Sequence, residues 1–213
     1  MAAVGPSRQR KPVREDHPPS PVTVYGDSKL KGEYEVLKLK EELPSVIIRV
    51  GAVYGPRDRD FLKYFQAIKK GILPAMGKKD RLLNLCYVKD LCQALILAAQ
   101  TDQESGEIFH IAHPQPHSWN EIGKISGEII GKKLISIKIP LPLVYMVAAS
   151  SDLISLFTKK RSIINRQKYR EFKQEGWLID THKAEKQLLF RPAFPLKEGL
   201  RETIHWYQEQ GWL

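Results

Sequence analysis

The chain has 213 residues, a net charge of +10 and an isoelectric point near 9.5. Apolar residues make up 42% of it, which is enough for a buried core and excludes a chain that is disordered throughout. The basic excess would suit nucleic acid or an anionic surface. Because the lysines and arginines are scattered among 24 acidic residues, we expect an anionic small molecule as the partner and no nucleic acid.

Two cysteines, Cys86 and Cys92, exclude a disulfide framework and a zinc ribbon, and they indicate reduced thiols in a cytoplasmic protein. The opening residues lack the pattern of a signal peptide. The uninterrupted apolar run 141–149 is shorter than the ~20 residues that a membrane helix requires, so no membrane partner is expected. His113 and His117 are four apart, but two prolines between them prevent a helix, so no metal site is predicted.

In chain order, helical segments alternate with short apolar strands, which predicts an α/β fold with parallel strands. Residues 1–6 are small and apolar, typical of the end of a buried strand that runs into a turn, and the Pro-rich residues 7–21 read as a loop. Helices are predicted at 22–42, 61–70 and 88–100, and strands at 45–50, 82–88 and 106–112.

Pro114 and Pro116 break this alternation, and we place a change of lobe near them. Ser118, with Glu121 three residues later, has the pattern of a capping box at a helix start. Later elements are predicted as helices up to 130 and at 141–157, 165–173, 181–188 and 196–210, with a strand at 134–139. The chain therefore divides into residues 1–113 and 114–213, with part of 57–87 predicted to lie in the second lobe.

Tyr25 and Lys29 lie four residues apart in the first predicted helix, so they project from the same helical face. An ammonium beside a phenol stabilises the phenolate, and a tyrosine in such surroundings can act as a general acid or base. The spacing alone identifies no site, because Tyr34 and Lys38 have it too. The residues that flank Tyr25 and Lys29 must show whether this pair forms a site.

These flanks form four motifs in a fixed order. They are residues 21–29 (Pro-Val-Thr-x-Tyr-Gly-x-Ser-Lys), 46–56 (Val-Ile-Ile-Arg-Val-Gly-Ala-Val-Tyr-Gly-Pro), 85–91 (Leu-x-Tyr-Val-x-Asp-Leu) and a C-terminal set from Asp180 to Pro192. Together they resemble the extended short-chain dehydrogenase/reductase superfamily, the NAD-dependent epimerase/dehydratase group with its 3β-hydroxysteroid dehydrogenase-like members. The resemblance covers essentially the whole chain. It implies the C-terminal part of a Rossmann-like parallel sheet, with a smaller, mainly helical substrate-binding lobe.

The resemblance also implies a function and a set of site residues. The expected enzyme is an NAD(P)-dependent oxidoreductase, epimerase or dehydratase that transfers hydride at a hydroxyl or carbonyl carbon of a nucleotide-sugar or a steroid- or isoprenoid-like substrate. Tyr25 would be the acid/base, and Lys29 would hold the nicotinamide ribose and stabilise the phenolate. The backbone around Val50, Gly51 and Val53 would face the nicotinamide.

Three further residues and one surface follow from the same resemblance. Arg57, Arg59 and Arg81 fall where nucleotide-sugar enzymes of this kind place basic residues near a substrate diphosphate, a role that suits the guanidinium fork. The open alternative is three solvated arginines. A homodimer through the catalytic helix, predicted at 22–42, is also implied.

One expected feature does not occur in this sequence. Members of the family begin with a strand, a Gly-x-x-Gly-x-x-Gly turn and a helix whose N-terminus binds the cofactor pyrophosphate, and no such turn is found here. We therefore expect the chain to be inactive alone. The alternative that stays open is a regulatory or nucleic-acid-binding relative that kept the fold and lost the chemistry.

Overall fold

The computed structural model describes residues 1–77, 80–100, 105–158 and 165–213, with the backbone alone described within 152–158. The helices are α1 Val24–Lys38, α2 Asp60–Lys69, α3 Val88–Gln100, α4 Trp119–Ile130, α5 Leu141–Thr158, α6 Arg166–Lys173, α7 His182–Gln187 and α8 Leu196–Glu209. The strands are β1 Ile47–Val50, β2 Ala52–Tyr54, β3 Ile72–Met76, β4 Leu82–Leu83, β5 Leu85–Tyr87, β6 Ile108–Ile111, β7 His117–Ser118, β8 Ile135–Ile139 and β9 Gly176–Trp177.

Parallel pairing dominates the strands, as the predicted α/β class requires. β1 pairs with β6 and β2 pairs with β5, both in parallel. Helix α3 carries the chain from β5 to β6, which is the kind of crossover that parallel strands need. Gly51 alone separates β1 from β2, so the two strands form one extended segment. This segment pairs with β6 before Gly51 and with β5 after it.

The remaining strands form one two-stranded and one three-stranded sheet. β3 pairs with β8 in parallel, and β4 lies between an antiparallel β7 and a parallel β9. One buried cluster packs α2, α4 and α8 against β2, β4 and β5; its members are Tyr54, Phe61, Phe65, Leu83, Leu85, Tyr87, Ile122, Leu196, Leu200, Ile204 and Tyr207. Part of the second predicted lobe thus packs with side chains from 54–87.

A second buried cluster covers β6. It joins α3 and β6 to α7 and the turn after it, with the members Cys86, Ala94, Phe109, Ile111, Ala184, Leu188 and Phe190. The chain after the predicted boundary at 113/114 therefore returns to the sheet of the first part. The division into two lobes stays a prediction, because the two clusters each draw on both halves of the sequence.

The predicted start of α4 is confirmed. The Ser118 hydroxyl accepts a hydrogen bond from the Glu121 amide at 3.1 Å, which satisfies one of the free N–H groups of the first turn. The helix ends at Ile130, and the next residue, Gly131, has a φ of +73°, a left-handed conformation that glycine adopts without strain.

Two sequence expectations near the N-terminus are wrong. Residues 1–5 form a turn and not the end of a strand, since the amides of Val4 and Gly5 both bond to the Met1 carbonyl at 3.1 Å. The first helix covers 24–38 and not 22–42. It stops early because the chain turns back over residues 39–43, where the Ser105 hydroxyl donates to the Lys40 carbonyl at 2.6 Å.

Buried polar groups lie between the sheet and α1. His110 on β6 is fully buried and lies opposite Arg49 in the β1–β6 register. Its backbone amide donates to the Glu15 carboxylate at 2.9 Å, whereas neither ring nitrogen has a hydrogen-bond partner within the described residues. Burial, helped by the charges of Arg49 and the Met1 amino group, lowers the pKa of His110 to about 4.

This lowered pKa predicts a loss of stability in mild acid. The unfolded chain binds a proton at this site near pH 6.5 and the folded chain only near pH 4, so the free energy of unfolding falls as pH drops through that window, by up to ~3 kcal/mol. Urea titrations between pH 7 and 4 measure it. We expect His110→Leu to make the dependence shallower, leaving the part set by the Met1 amino group, whose pKa burial lowers to about 5, and His205→Leu, at an exposed site on α8, to leave it unchanged. An unaltered dependence in His110→Leu would contradict the assignment.

Candidate active site

The sheet opens at Gly51, where the chain changes partner strands. A Cβ atom at Gly51 would lie 2.7 Å from the Asn84 carbonyl oxygen and 2.9 Å from the Ala112 Cβ, so only glycine lets these segments pass. β6 ends at Ile111, next to this point. Ligands of open α/β sheets bind where neighbouring parallel strands part at their carboxyl ends. This crevice is therefore the natural place for a site.

Asn84 holds the crevice together, and the sequence analysis missed it. Its side-chain amide donates to the carbonyls of His113 at 2.9 Å and Pro114 at 3.2 Å, and its side-chain oxygen accepts from the Ile179 amide at 3.0 Å. Asn84 is 2% exposed, so these bonds are sheltered from water. No local motif marks an asparagine whose three partners come from distant parts of the chain.

Tyr25 and Lys29 lie on the exposed side of α1, near its N-terminus. The Thr23 hydroxyl caps the helix by accepting from the Gly26 amide at 3.1 Å. Tyr25 is 59% exposed, and the Lys29 ammonium lies 5.4 Å from the centre of its ring. The structure therefore places the two side chains of the predicted pair next to each other on the first turns of α1.

Residues 1–5 connect α1 with the crevice. The Met1 amino group donates to the Val50 carbonyl at 2.7 Å. A Cβ atom at Gly26 would lie 2.4 Å from the Ala2 carbonyl oxygen, so the start of α1 rests directly on this segment. Residues 1–5 thus contact both the Tyr25 end of α1 and the Val50–Gly51 bend.

The C-terminal part of the chain also reaches the start of α1. The Val24 amide donates to the Gln167 side-chain oxygen at 3.1 Å, and this glutamine lies in the first turn of α6. Asn165 caps α6 by accepting from the Lys168 amide at 2.8 Å. Sequence reasoning missed Gln167 as well, because a contact across 143 residues leaves no local signal.

The three predicted arginines have different surroundings. Arg57 and Arg59 are exposed in the turn before α2, where Arg57 has a φ of +71° and Arg59 lies 5.6 Å from the Trp212 ring centre. Left-handed backbone at a non-glycine residue is uncommon and often marks functional turns. Arg81 donates to the carbonyls of Gln174 and Met76, and burial lowers its pKa. A phosphate-binding role stays a prediction for all three.

Within the described residues, no group of three or more His, Cys, Asp or Glu side chains is arranged to hold a metal ion. The thiol of Cys86 is buried and that of Cys92 is exposed, and both are free. The imidazole rings of His113 and His117 lie 6.0 Å apart between their centres.

Comparisons with known proteins place the chain in a family. Residues 3–135 match the family described as the RmlD substrate binding domain. The chain belongs to the RmlD substrate-binding domain family. The resemblance to the extended short-chain dehydrogenase/reductase superfamily, and to its epimerase/dehydratase group, is thereby confirmed.

Relatives of this RmlD-family chain are named for different activities. It is 26% identical to the ceramide reductase of Caulobacter vibrioides over 190 residues, which cover 89% of this chain and 58% of that protein. It is 25% identical to the decarboxylating sterol-4-alpha-carboxylate 3-dehydrogenase erg26 of Schizosaccharomyces pombe over 207 residues, or 93% and 59%. The chain thus spans about three-fifths of the length of these relatives.

Solved structures confirm the Rossmann-type fold. The UDP-glucuronic acid 4-epimerase from Bacillus cereus in complex with NAD has a TM-score of 0.75 at 21% identity, covering 98% of this chain and 59% of that one. RMD from Pseudomonas aeruginosa complexed with NADPH has a TM-score of 0.76 at 15% identity, covering 98% and 64%. Across the described residues, the RmlD-family chain has no helix long and apolar enough to cross a membrane.

Proposed function

We propose that this chain carries the proton-transferring helix and the substrate lobe of an NAD(P)-dependent oxidoreductase, epimerase or dehydratase. One observation supports it most. Tyr25 and Lys29 at the start of α1, and the Val50–Gly51 bend at the mouth of the crevice, meet on the same N-terminal segment. Family membership supplies the reaction class, because dehydrogenases, reductases and epimerases are among the relatives.

Tyr25 is the general acid/base in this proposal. Its oxygen takes the proton from a substrate hydroxyl during oxidation and returns it in the reverse direction. The Lys29 ammonium and the first turn of α1 stabilise the resulting phenolate through charge that is already in place. The exposure of both side chains leaves them open to a bound substrate.

In this proposal the backbone around Val50, Gly51 and Val53 faces the nicotinamide end of NAD(P), at the point where the chain changes its partner strand from β6 to β5. Lys29 would hold the nicotinamide ribose hydroxyls. When bound, the nicotinamide accepts or returns the hydride. The glycine turn that would bind the pyrophosphate does not occur in this sequence.

The substrate proposed here is a nucleotide-sugar or a steroid- or isoprenoid-like alcohol. The exposed pair Arg57 and Arg59 supports a diphosphate-bearing substrate, because two guanidinium groups suit phosphate oxygens. The sterol and ceramide relatives support the lipid-like class. Activity assays of the full-length gene product, with UDP-glucuronic acid and with a sterol-4-alpha-carboxylate, would distinguish the two substrate classes.

A homodimer through α1 is part of the proposal. Apolar side chains on α1 and the turn after it are strongly exposed: Tyr34 by 50%, Val36 by 41%, Leu39 by 47% and Leu43 by 58%. Exposed apolar surface of this kind favours contact with a partner. Sedimentation of the gene product measures its association into a dimer. The same measurement on Tyr34→Lys should show a weaker association.

The 213-residue chain alone should bind the dinucleotide weakly. Without a glycine turn, the pyrophosphate has no ring of backbone N–H donors at a helix N-terminus, and only the nicotinamide end finds partners. We expect calorimetry with NAD(H) and NADPH to give dissociation constants well above the low-micromolar range. Low-micromolar binding would show that this chain holds the pyrophosphate by other residues. Salt-sensitive binding to a random oligonucleotide, without any turnover, would instead favour the non-catalytic alternative.

A further inference from the structure

Helix α1 touches the rest of the described chain along one narrow stripe. Its buried residues are Gly26 and Leu30, and one turn further on the Glu33 side chain is 12% exposed. These positions follow one another at i, i+4 and i+7, so they lie on a single face. Neither of these two side chains makes a directional contact, and the hydrogen bond from the Val24 amide to Gln167 holds only the first turn, so a further contact is needed to fix the rotation of the helix.

Glu33 supplies the directional contact. The Arg49 Nε lies 3.1 Å from both Glu33 carboxylate oxygens, and Arg49 Nη2 lies 2.7 Å from Oε2. The Arg49 side chain is 4% exposed, so water competes little for these bonds. A guanidinium that meets a carboxylate edge-on fixes angle as well as distance.

Arg49 also precedes the bend that is proposed to face the nicotinamide. It lies on β1 immediately before Val50 and Gly51, and β1 is held in register by β6. The Arg49–Glu33 pair therefore ties the helix that carries Tyr25 and Lys29 to the strand that leads into the crevice.

Small rotations of α1 would matter for chemistry. An atom ~8 Å from a helix axis moves by ~1.4 Å when the helix rolls by ~10°. A misplacement of ~1 Å at a reacting group can cost about 10²-fold in rate. Tyr25 precedes Gly26, so its phenol swings directly with this roll.

We propose that the buried Arg49–Glu33 pair is a positioning device that fixes the rotation of α1, and with it the direction of Tyr25 and Lys29 relative to the Val50–Gly51 bend. The proposal rests on the proposed function for its catalytic consequence. Its structural part, the anchoring of α1, stands on the geometry alone.

The test compares two glutamates of the same helix. Glu33→Gln keeps the shape of the side chain and removes its charge, and Glu35→Gln does the same to the exposed Lys38–Glu35 pair, whose side chains are 67% and 69% exposed. Hydrogen exchange of the 213-residue chain should be about tenfold faster or more over 24–38 in Glu33→Gln. Exchange over 196–209 should not change, and Glu35→Gln should match the parent chain.

Kinetics of the full-length gene product test the catalytic part. We expect Glu33→Gln and Arg49→Lys to lower kcat about tenfold or more and to raise KM for NAD by a smaller factor, because Lys29 is only one of the groups proposed to hold the cofactor whereas Tyr25 acts in the reaction itself. Unchanged exchange over 24–38 in Glu33→Gln would overturn the anchoring. Faster exchange with an unchanged kcat, in an enzyme that Tyr25→Phe inactivates, would overturn the positioning role. Full activity of Tyr25→Phe would instead refute the proposed function. The anchoring of α1 would then be tested by the hydrogen-exchange result alone.

Discussion

Tyr25→Phe should lower kcat of the full-length gene product by about 10²–10⁴-fold, the range that general acid–base catalysis contributes. The substitution removes one oxygen atom from a side chain that is 59% exposed, so it deletes the proton carrier without opening a cavity. The free energy of unfolding should therefore stay the same. Steady-state kinetics and urea unfolding of the same preparation measure both quantities.

Tyr34→Phe is the matched control. Tyr34 lies on the same helix, is 50% exposed and has Lys38 four residues later, as Tyr25 has Lys29. It lacks the cap, the N-terminal position and the adjacent crevice. We expect unchanged kcat in Tyr34→Phe. Equal losses in the two variants would mean that the phenols support the helix and not the reaction.

Gly26→Ala should misplace the catalytic end of α1. The new Cβ would lie 2.4 Å from the Ala2 carbonyl oxygen and 3.1 Å from the Pro21 Cβ, and a backbone carbonyl cannot turn aside as a flexible side chain can. Overpacking of this kind costs about 1–3 kcal/mol. Since Tyr25 is the neighbouring residue, we expect kcat to fall about tenfold or more.

Gly32→Ala provides the comparison within the same helix. No atom lies within 4 Å of a Cβ built at Gly32, so alanine fits there without contact. It should stabilise the protein by ~0.5–1 kcal/mol, because glycine is the poorer residue inside a helix. Activity should not change. A stable, fully active Gly26→Ala would show that the close contact between α1 and residues 1–5 does not set the position of Tyr25.

The sequence predicted the elements whose signals are local. α3 and α4 match their predicted bounds because a run of helix formers and a Ser118 cap are readable in a single window. The parallel class followed from short β-branched runs between helices. The family followed from four motifs in order, although the Tyr25–Lys29 spacing on its own identified nothing.

The missed elements and contacts are set by distant partners. β2, β7 and β9 have two or three residues each and exist only because another strand pairs with them. β3 contains Pro74, which argues against a strand in sequence, yet it pairs with β8.

Contacts between residues that are distant in sequence could not be predicted from the sequence either. No local pattern marks Glu33 and Arg49 as a pair, and only the folded chain shows that they are buried against each other. Asn84 and Gln167 gain their importance in the same way. Sequence reasoning therefore proposed the Tyr25–Lys29 pair, and it missed the buried residues that hold the surrounding segments together.

The central claim is that Tyr25 transfers the proton that accompanies hydride transfer. Its most direct test is the single-turnover rate of nicotinamide reduction by the NAD-loaded full-length gene product, measured with the substrate that it turns over. We predict a rate about 10²–10⁴-fold lower in Tyr25→Phe than in the parent enzyme, because the group that accepts the proton is absent. A Tyr25→Phe enzyme that keeps the rate of the parent would contradict the account.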